Sequence, residues 1–320
     1  RRQGAANQVT SVRKGVERYI RRIAGGRSLS WLICGGLPAA VLAADADPLG
    51  AQTEFQPVHD SILQVVGDDV LSRFLWDMSF SAYTTKHFRG VIPSAGLTVA
   101  GQGGFIHRGF YVGMFGGVGL SPKTDVQPGI YQETDLFVGY VSPRFSASLQ
   151  WYQNFTEGIT DIPEPSGFFD FGTDTRGLLD LLFSYRFGSE LQWQIHSSTF
   201  LPPTRDRDLL PGPDGSPVRG DPRYTQYLEF QRSGRWGANA WRVRVGGSWR
   251  WTSPPDGQPR STFYDEREGI HNIGFDYIRY IRLGEGDDVP QLPVKVLVVI
   301  NPLADRAYFI VGVDLIQLAS

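Results

Sequence analysis

Hydrophobic and polar residues alternate along several segments of about ten residues, the period expected of β-strands that have one apolar face. The clearest example is 131–155, which consists of two alternating arms joined by a very tight turn. In its second arm, Leu149 and Trp151 fall on one face, whereas Ser148 and Gln150 fall on the other. Because arms of this length cross a bilayer as tilted strands, the pattern predicts a hairpin of a transmembrane β-barrel.

The same alternation recurs along the chain from position 74 onwards. Further strands are predicted in the segments that start at 74 and over 97–107, 110–120, 178–187, 190–200, 224–231, 240–252, 269–283, 292–301 and 307–319. With the two arms above, the total is about twelve, and single-chain bacterial barrels have an even number of strands. The predicted fold is therefore all-β, an antiparallel up-and-down barrel of about twelve strands over residues 71–320.

The lengths of the connections favour the same fold. Short joins are predicted near Arg108, Pro143, Gly188, Gly234 and Gly286. They alternate with joins that are long and rich in Pro, Gly and Asp, at 156–176, 201–221 and 253–268; only the last outer join, 302–306, is short. Outer-membrane barrels have short periplasmic turns and longer outer loops. This alternation favours a barrel with both termini in the periplasm over a soluble β-sandwich.

The N-terminal part of the chain has the layout of an export signal. A basic stretch ending at Arg27 precedes the apolar run 29–42. Small residues come directly after this run, and aspartates follow them. This pattern predicts a signal peptide with an extended basic n-region over 1–44, with an anchor helix as the alternative. The only cysteine, Cys34, lies inside the run, so the mature chain has no thiol for disulfides or zinc. Residues 45–70 have no strand pattern and are interpreted as a periplasmic or plug-like segment.

Composition limits the partners. A net charge of −2 gives no bulk attraction to nucleic acid, so none is predicted to bind. The mean hydropathy of −0.22 is compatible with a barrel that has a polar lumen and hydrated loops. The expected partners are outer-membrane lipid and small solutes, and the oligomeric state is left open.

The inward faces of the predicted strands carry ionisable side chains of both signs. These candidate pore-lining residues are Glu133, Asp135, Asp180, Arg186, Glu190, Glu229, Arg242, Arg244 and Arg250. One interpretation is a water-filled pore that sorts solutes by charge. The other is that these groups pair inside the lumen and plug it, because about twelve strands enclose a narrow interior. The sequence leaves both interpretations open.

No pattern of catalytic or metal-binding residues is convincing. His196 and Ser198 share a strand face, an arrangement similar to the His/Ser pair of the twelve-stranded outer-membrane phospholipase. The serine is not followed by the Asn-Gly of that enzyme, so an ordinary polar pair in the lumen is predicted. Asp170, Asp174 and Asp180 are interpreted as a solvated acidic loop and not as a calcium site. No enzyme activity, cofactor or metal is predicted.

Four short motifs between positions 83 and 140 carry a family resemblance. They are Tyr83 followed by Phe88-Arg89-Gly90, then Gln102-Gly103-Gly104, then Gly109-Phe110-Tyr111-Val112-Gly113, and finally Glu133-Thr134-Asp135-Leu136-Phe137-Val138-Gly139-Tyr140. This stretch resembles Gcw_chp, a family of uncharacterised exported proteins of proteobacteria. The resemblance covers the first third of the predicted barrel and implies an envelope β-barrel without a defined activity.

Together these observations predict a porin-like passive channel for small hydrophilic solutes in the bacterial outer membrane. Charges of both signs on the inward faces are the feature that favours transport. Two alternatives stay open: a structural envelope barrel that transports nothing, and an outer-membrane enzyme that modifies lipid.

Overall fold

The computed structural model describes residues 74–94, 96–120, 129–156, 167–284 and 291–319. The predicted signal peptide over 1–44 and the predicted segment over 45–70 lie outside the described residues. The regular structure in the described residues consists of β-strands. In this part of the chain, no helix is long and apolar enough to cross a membrane.

The strands follow the alternating segments of the sequence closely. In chain order they are β1 (Phe74–Tyr83), β2 (Lys86–Phe88), β3 (Val91–Ser94), β4 (Thr98–His107), β5 (Phe110–Gly119), β6 (Gln132–Val141), β7 (Phe145–Asn154), β8 (Leu178–Phe187), β9 (Trp193–Thr204), β10 (Arg207–Pro211), β11 (Pro217–Pro222), β12 (Thr225–Trp236), β13 (Asn239–Arg250), β14 (Gly269–Arg282), β15 (Gln291–Asn301) and β16 (Arg306–Ala319).

Twelve of these strands form one closed antiparallel barrel. Their order around the barrel is β1-β4-β5-β6-β7-β8-β9-β12-β13-β14-β15-β16, and pairing of β16 with β1 closes it. Each barrel strand therefore pairs with the barrel strands that precede and follow it along the chain. The predicted all-β, up-and-down barrel of about twelve strands is confirmed, and the sandwich is excluded because the sheet closes on itself.

The two faces of the barrel wall have the predicted polarity. Val138, Leu149 and Val245 point outwards and are exposed to the extent of 54%, 39% and 41%. Asp135 and Ser148, on the other face, are buried in the interior. A slip of one residue along a strand would invert every one of these assignments, so the predicted faces of these residues are confirmed.

Two strands, β9 and β12, run further than predicted, and for β12 the reason is visible at Gly234. β9 continues to Thr204, and β12 continues past Gln231 to Trp236, so the turn to β13 lies at 237–238 and not near Gly234. Gly234 pairs with Trp241, and the indole ring of Trp241 occupies the space that a Cβ at Gly234 would need. This glycine makes room for a cross-strand ring and does not form a turn.

Two of the longer connections each contain a further two-stranded hairpin. β2 pairs with β3 between barrel strands β1 and β4, and β10 pairs with β11 between β9 and β12. The sequence analysis predicts a long join over 201–221 and no strand between the first strand and 97, so both hairpins are additions to the predicted fold. Because connections of an up-and-down barrel alternate between its ends, both hairpins and the β13–β14 connection lie at the predicted outer end.

Candidate functional site

The structure brings most of the predicted pore-lining residues into the interior of the barrel. On the barrel strands and facing inwards are Glu133, Asp135, Asp180, Arg186, Glu229, Arg242, Arg244 and Arg250. Their placement follows from the alternation of side chains along each strand.

Glu190 is the exception and the prediction for it is wrong. β9 begins at Trp193, and Gly188 and Leu191 have positive φ angles of 96° and 56°, so the β8–β9 connection is a turn through position 192. The side chain of Glu190 is exposed in this turn and does not line the lumen. Gly188 indicates in the sequence that a turn is present, but no local pattern indicates how many residues the turn contains.

The inward arginines of β13 are paired with a neighbouring strand. Arg242 Nε and Arg244 Nη1 donate to the same Asp276 Oδ2, at 2.8 and 2.6 Å. All three side chains are buried. Asp276 lies on β14, next to β13, whereas Glu133 and Asp135 lie on β6. One carboxylate therefore compensates part of the positive charge of this wall, which reduces the transverse field that an open pore would use.

Glu229 and Arg186 are also held by neighbouring polar groups. Glu229 accepts hydrogen bonds from the hydroxyl of Tyr227 and from Asn272 Nδ2, the latter at 2.7 Å. Arg186 Nε donates to Gln194 Oε1 at 3.2 Å. The Arg186 bond joins the adjacent strands β8 and β9, and the Asn272 bond links β14 to β12 across β13, so both stabilise the barrel. In these bonds the partners of Glu229 and Arg186 are uncharged side chains.

Arg250 has a partner that does not belong to a barrel strand but to hairpin β10–β11. Its two terminal nitrogens each donate at 2.8 Å to Asp208, the two oxygens of one carboxylate. Arg223 Nε adds a third bond to Asp208 at 3.2 Å. Burial alone would raise the pKa of Asp208, but the bonds and charges of Arg250 and Arg223 hold this pKa below its ordinary value. The bidentate pair fixes hairpin β10–β11 over the outer end of the barrel.

The turn of the other hairpin, β2–β3, is built from Arg89 and Gly90. Both have positive φ angles, 46° and 87°, and the flanking Phe88 and Val91 pair, which is the geometry of a type I′ turn. Gly90 lies so close to the backbone carbonyl of His271 that no Cβ would fit there. A left-handed arginine is unfavourable by about 1–2 kcal/mol, so its side chain must be held by other contacts.

Those contacts lie on the far wall of the barrel. Arg89 Nη2 donates to Asp180 Oδ2 on β8 at 2.9 Å, and Nη1 donates to Ser198 Oγ on β9 at 2.6 Å. Nη1 also reaches the hydroxyl of Tyr264 at 2.5 Å. The hairpin leaves the wall between β1 and β4, and β8 and β9 lie on the opposite side of the strand order. The tip of the hairpin therefore crosses the interior.

The rest of the hairpin contacts further strands. Asn301 Nδ2, on β15, donates to the carbonyl of Gly90 at 3.1 Å. Ile92 packs against Leu297 and the other inward apolar residues of β15 and β16. The ammonium of Lys86 lies 5.5 Å from the ring of Phe115 on β5. Hairpin β2–β3 is thus held from several sides of the barrel.

An aromatic cluster completes this layer of the interior. Its buried members are Tyr152, Leu178, Phe200, Tyr227 and Tyr264, with Phe88, Val91 and Phe263 packed against them. Tyr264 comes from the β13–β14 connection, which also folds inwards. Its ring stacks on His271 with centroids 5.0 Å apart. We call the hairpin β2–β3 together with Tyr264 the inner constriction.

A cavity of about 360 Å³ lies outside the inner constriction. Hairpin β2–β3 forms one side of it, and the residues around hairpin β10–β11 form the other. Its charged lining consists of Arg205, Arg207, Arg219, Arg223 and Glu133. We call this cavity the arginine vestibule.

The pair His196 and Ser198 has no catalytic geometry. Ser198 Oγ donates to Asp180 Oδ1 at 2.6 Å, whereas His196 Nδ1 is 2.9 Å from Ser184 Oγ. Each side chain thus has a structural partner in the interior, and the two do not form the hydrogen bond that nucleophile activation requires. The polar lumen pair that the sequence predicts is what the structure contains.

The acidic group interpreted as a solvated loop is divided by the structure. Asp170 and Asp174 lie in the β7–β8 connection, but Asp180 lies on β8 and is fully buried beside Arg89. Asp180 thus lies on the strand predicted over 178–187, and its inclusion in a solvated acidic group is wrong because its carboxylate pairs with Arg89 in the interior. Within the described residues, no three His, Cys, Asp or Glu side chains come close enough together to hold a metal ion.

The sequence analysis missed several residues of the site. Asp276 falls on the same face of β14 as Asn272, Gly274 and Ile278, so the alternation contained a signal for it. Arg89-Gly90 repeats the Arg108-Gly109 pair, which also forms a turn with two positive φ angles. For Asp208 and Tyr264 no local signal exists, since both lie in connections between barrel strands and not on the strands themselves.

Comparison with known proteins gives matches among solved structures only. No protein-family model matches the chain, and no curated protein matches it in sequence. One similar structure is an outer membrane channel from Pseudomonas putida F1, with 10% identity, a TM-score of 0.39, and coverage of 79% of this chain and 98% of that chain.

Two other similar structures are matched over less than two thirds of their own chains. A mutant porin from Rh. blastica has 11% identity and a TM-score of 0.30, with 70% of this chain and 55% of that chain covered. CdiB from Acinetobacter baumannii has 14% identity and a TM-score of 0.32, with 78% and 60% covered. At these identities the likeness concerns the barrel fold alone.

Proposed function

We propose that this protein is a narrow outer-membrane channel for passive passage of small hydrophilic solutes, with the inner constriction setting the size limit. The observation that carries the proposal is hairpin β2–β3, which crosses the interior and bonds to the opposite wall through Arg89. An inserted loop of this kind narrows a barrel without changing its wall.

The outer surface supports a membrane location. Large apolar side chains are exposed along the strands, among them Phe105, Val112, Met114, Val138 and Val245. A soluble monomer rarely exposes contiguous apolar surface of this extent, whereas lipid would cover it. The polar residues of the same strands face inwards, as in barrels that span the outer membrane.

The second candidate is a structural envelope barrel without transport. It is favoured by the ion pairs of the interior, since Arg242, Arg244 and Arg89 are each bonded to an aspartate. Paired charges attract permeating ions less than free charges do. The two candidates differ in one property, the passage of solute.

Permeation into vesicles separates the two. We expect proteoliposomes containing the folded full-length chain to swell in glycine and in a pentose, and to swell much more slowly in a disaccharide. The reason is that the inner constriction leaves only part of the barrel cross-section. Vesicles with heat-denatured protein serve as the control. If the folded protein passes none of these solutes, the structural barrel is the correct function.

A further inference from the structure

We propose that the arginine vestibule binds a small organic anion that has one carboxylate and an apolar body. The inference rests on the proposed function, because such a ligand would be a solute that the channel collects at its outer end. It names a substrate class that the hydrophilic-solute proposal leaves open.

The first argument is an excess of positive charge in the vestibule. Among the described residues, no carboxylate lies within 4.0 Å of the charged nitrogens of Arg205, Arg207 or Arg219, whereas Arg223 is paired with Asp208. Arg207 donates to the backbone carbonyls of Thr204 and Gly220, at 3.2 and 2.9 Å. Carbonyls orient a guanidinium but do not neutralise it, so an anion is electrostatically favoured here.

The second argument concerns Arg205 itself. Its Nε and Nη1 are shielded from water and have no hydrogen-bond acceptor among the residues that the structure describes, and its guanidinium lies 5.1 Å from the ring centre of Phe263. Burial lowers the pKa of Arg205 to about 10; Glu133 opposes this effect and Arg219 reinforces it. Buried donors without an acceptor are costly. A ligand carboxylate would accept from one of these nitrogens together with Nη2, in the bidentate geometry that guanidinium favours.

The third argument is the apolar remainder of the lining. Phe88, Val91 and Ile92 from hairpin β2–β3 face the cavity, as do Leu178, Leu209 and Phe263. A bare inorganic anion would leave these side chains in contact with water, whereas an apolar body would cover them. The volume of about 360 Å³ is near the lower end of the range for small-molecule sites, so the ligand is small.

Glu133 limits the charge of the ligand. It is the carboxylate of the vestibule lining, and it accepts a hydrogen bond from Asn154 Nδ2 at 3.1 Å. Its repulsion disfavours a second negative charge on the ligand. A monocarboxylate is therefore preferred over a dicarboxylate of the same length.

The test uses three probes on the full-length barrel in nanodiscs, with calorimetric titration. Hexanoate has both the carboxylate and the apolar body of the proposed ligand. Hexanamide keeps the apolar body but has no charge, and acetate keeps the carboxylate but lacks most of the apolar body. We expect hexanoate to bind at least about tenfold more tightly than either of the others. Equal affinity for hexanoate and hexanamide, or for hexanoate and acetate, would overturn the inference.

Two variants assign the binding to Arg205. Arg205→Gln should lower the hexanoate affinity about tenfold or more, the usual effect of losing a hydrogen bond to a charged group. Arg144→Gln, at an exposed arginine in the β6–β7 turn at the other end of the barrel, should leave it unchanged. Heat-modifiable gel mobility checks that both variants are folded. A folded Arg205→Gln variant with unaltered affinity contradicts the site.

The outcome is separable from that of the proposed function. A protein that passes glycine but shows no preference for hexanoate is a channel without this site. A protein that binds hexanoate selectively but passes no solute has the site without being a channel.

Discussion

Replacing Arg89 by alanine is expected to lower the free energy of unfolding by about 3–5 kcal/mol, the usual loss when one partner of a buried ion pair is removed. Asp180 is fully buried, and Arg89 is its charged partner in the structure. Without the guanidinium, the carboxylate keeps the hydrogen bond from Ser198 Oγ but has no compensating charge there. Urea titration of the barrel in lipid vesicles, followed by tryptophan fluorescence, measures the loss.

A second substitution separates the ion pair from simple loss of packing. The double variant Arg89→Ala with Asp180→Asn should recover much of the stability, because no uncompensated charge remains. Arg89→Lys should fall between, since lysine keeps the charge but cannot bond to Asp180, Ser198 and Tyr264 as a fork. If Arg89→Ala is as stable as the natural chain, or if the double variant recovers nothing, the assigned role of this pair is wrong.

An arginine at Val245 is expected to destabilise the folded barrel by about 2–4 kcal/mol if this residue faces the middle of the bilayer. Val245 lies on the outer face of β13 and is 41% exposed. A charged side chain at that depth must leave water on folding. The same lipid-vesicle titration measures the effect.

Val218 provides a matched control. It is also a strand valine and is also 41% exposed, but it lies on β11, in a connection at the outer end of the barrel. Because water surrounds this position, Val218→Arg should change the stability by less than about 0.5 kcal/mol. Equal effects at Val245 and Val218 would mean that the outer face of the barrel is not in contact with lipid.

The wall of the barrel was predictable because its information is local. Alternation along a strand assigns a face to each residue, as Leu149 and Ser148 illustrate, and loop lengths assign the ends. The turn at Gly234 was the visible failure. A glycine in a strand gives the same sequence signal whether it bends the chain or accommodates a ring from the next strand, here that of Trp241.

The contents of the barrel were not predictable in the same way. Arg89-Gly90 and Arg108-Gly109 are the same dipeptide and form the same kind of turn. Arg108 is exposed at one end of the barrel, whereas Arg89 is buried inside it. The difference depends on partners far away along the chain, such as Asp180, which no local pattern connects to the turn. The same holds for the inward arginines. Alternation along a strand predicts that they face the interior, but it does not predict which residues they bond to.

The central claim is that hairpin β2–β3 limits passage through the barrel, and its removal tests this claim most directly. Tyr83 and Thr98 are paired residues at the ends of β1 and β4, so a two-residue Asn-Gly turn can replace 84–97 without altering the wall. Asp180→Asn is added so that no unpaired carboxylate is left. In planar-bilayer recordings, the natural chain should show small discrete openings, and the shortened chain should show openings of severalfold larger conductance. Equal conductance of the two folded proteins, or silence of both, would contradict the account.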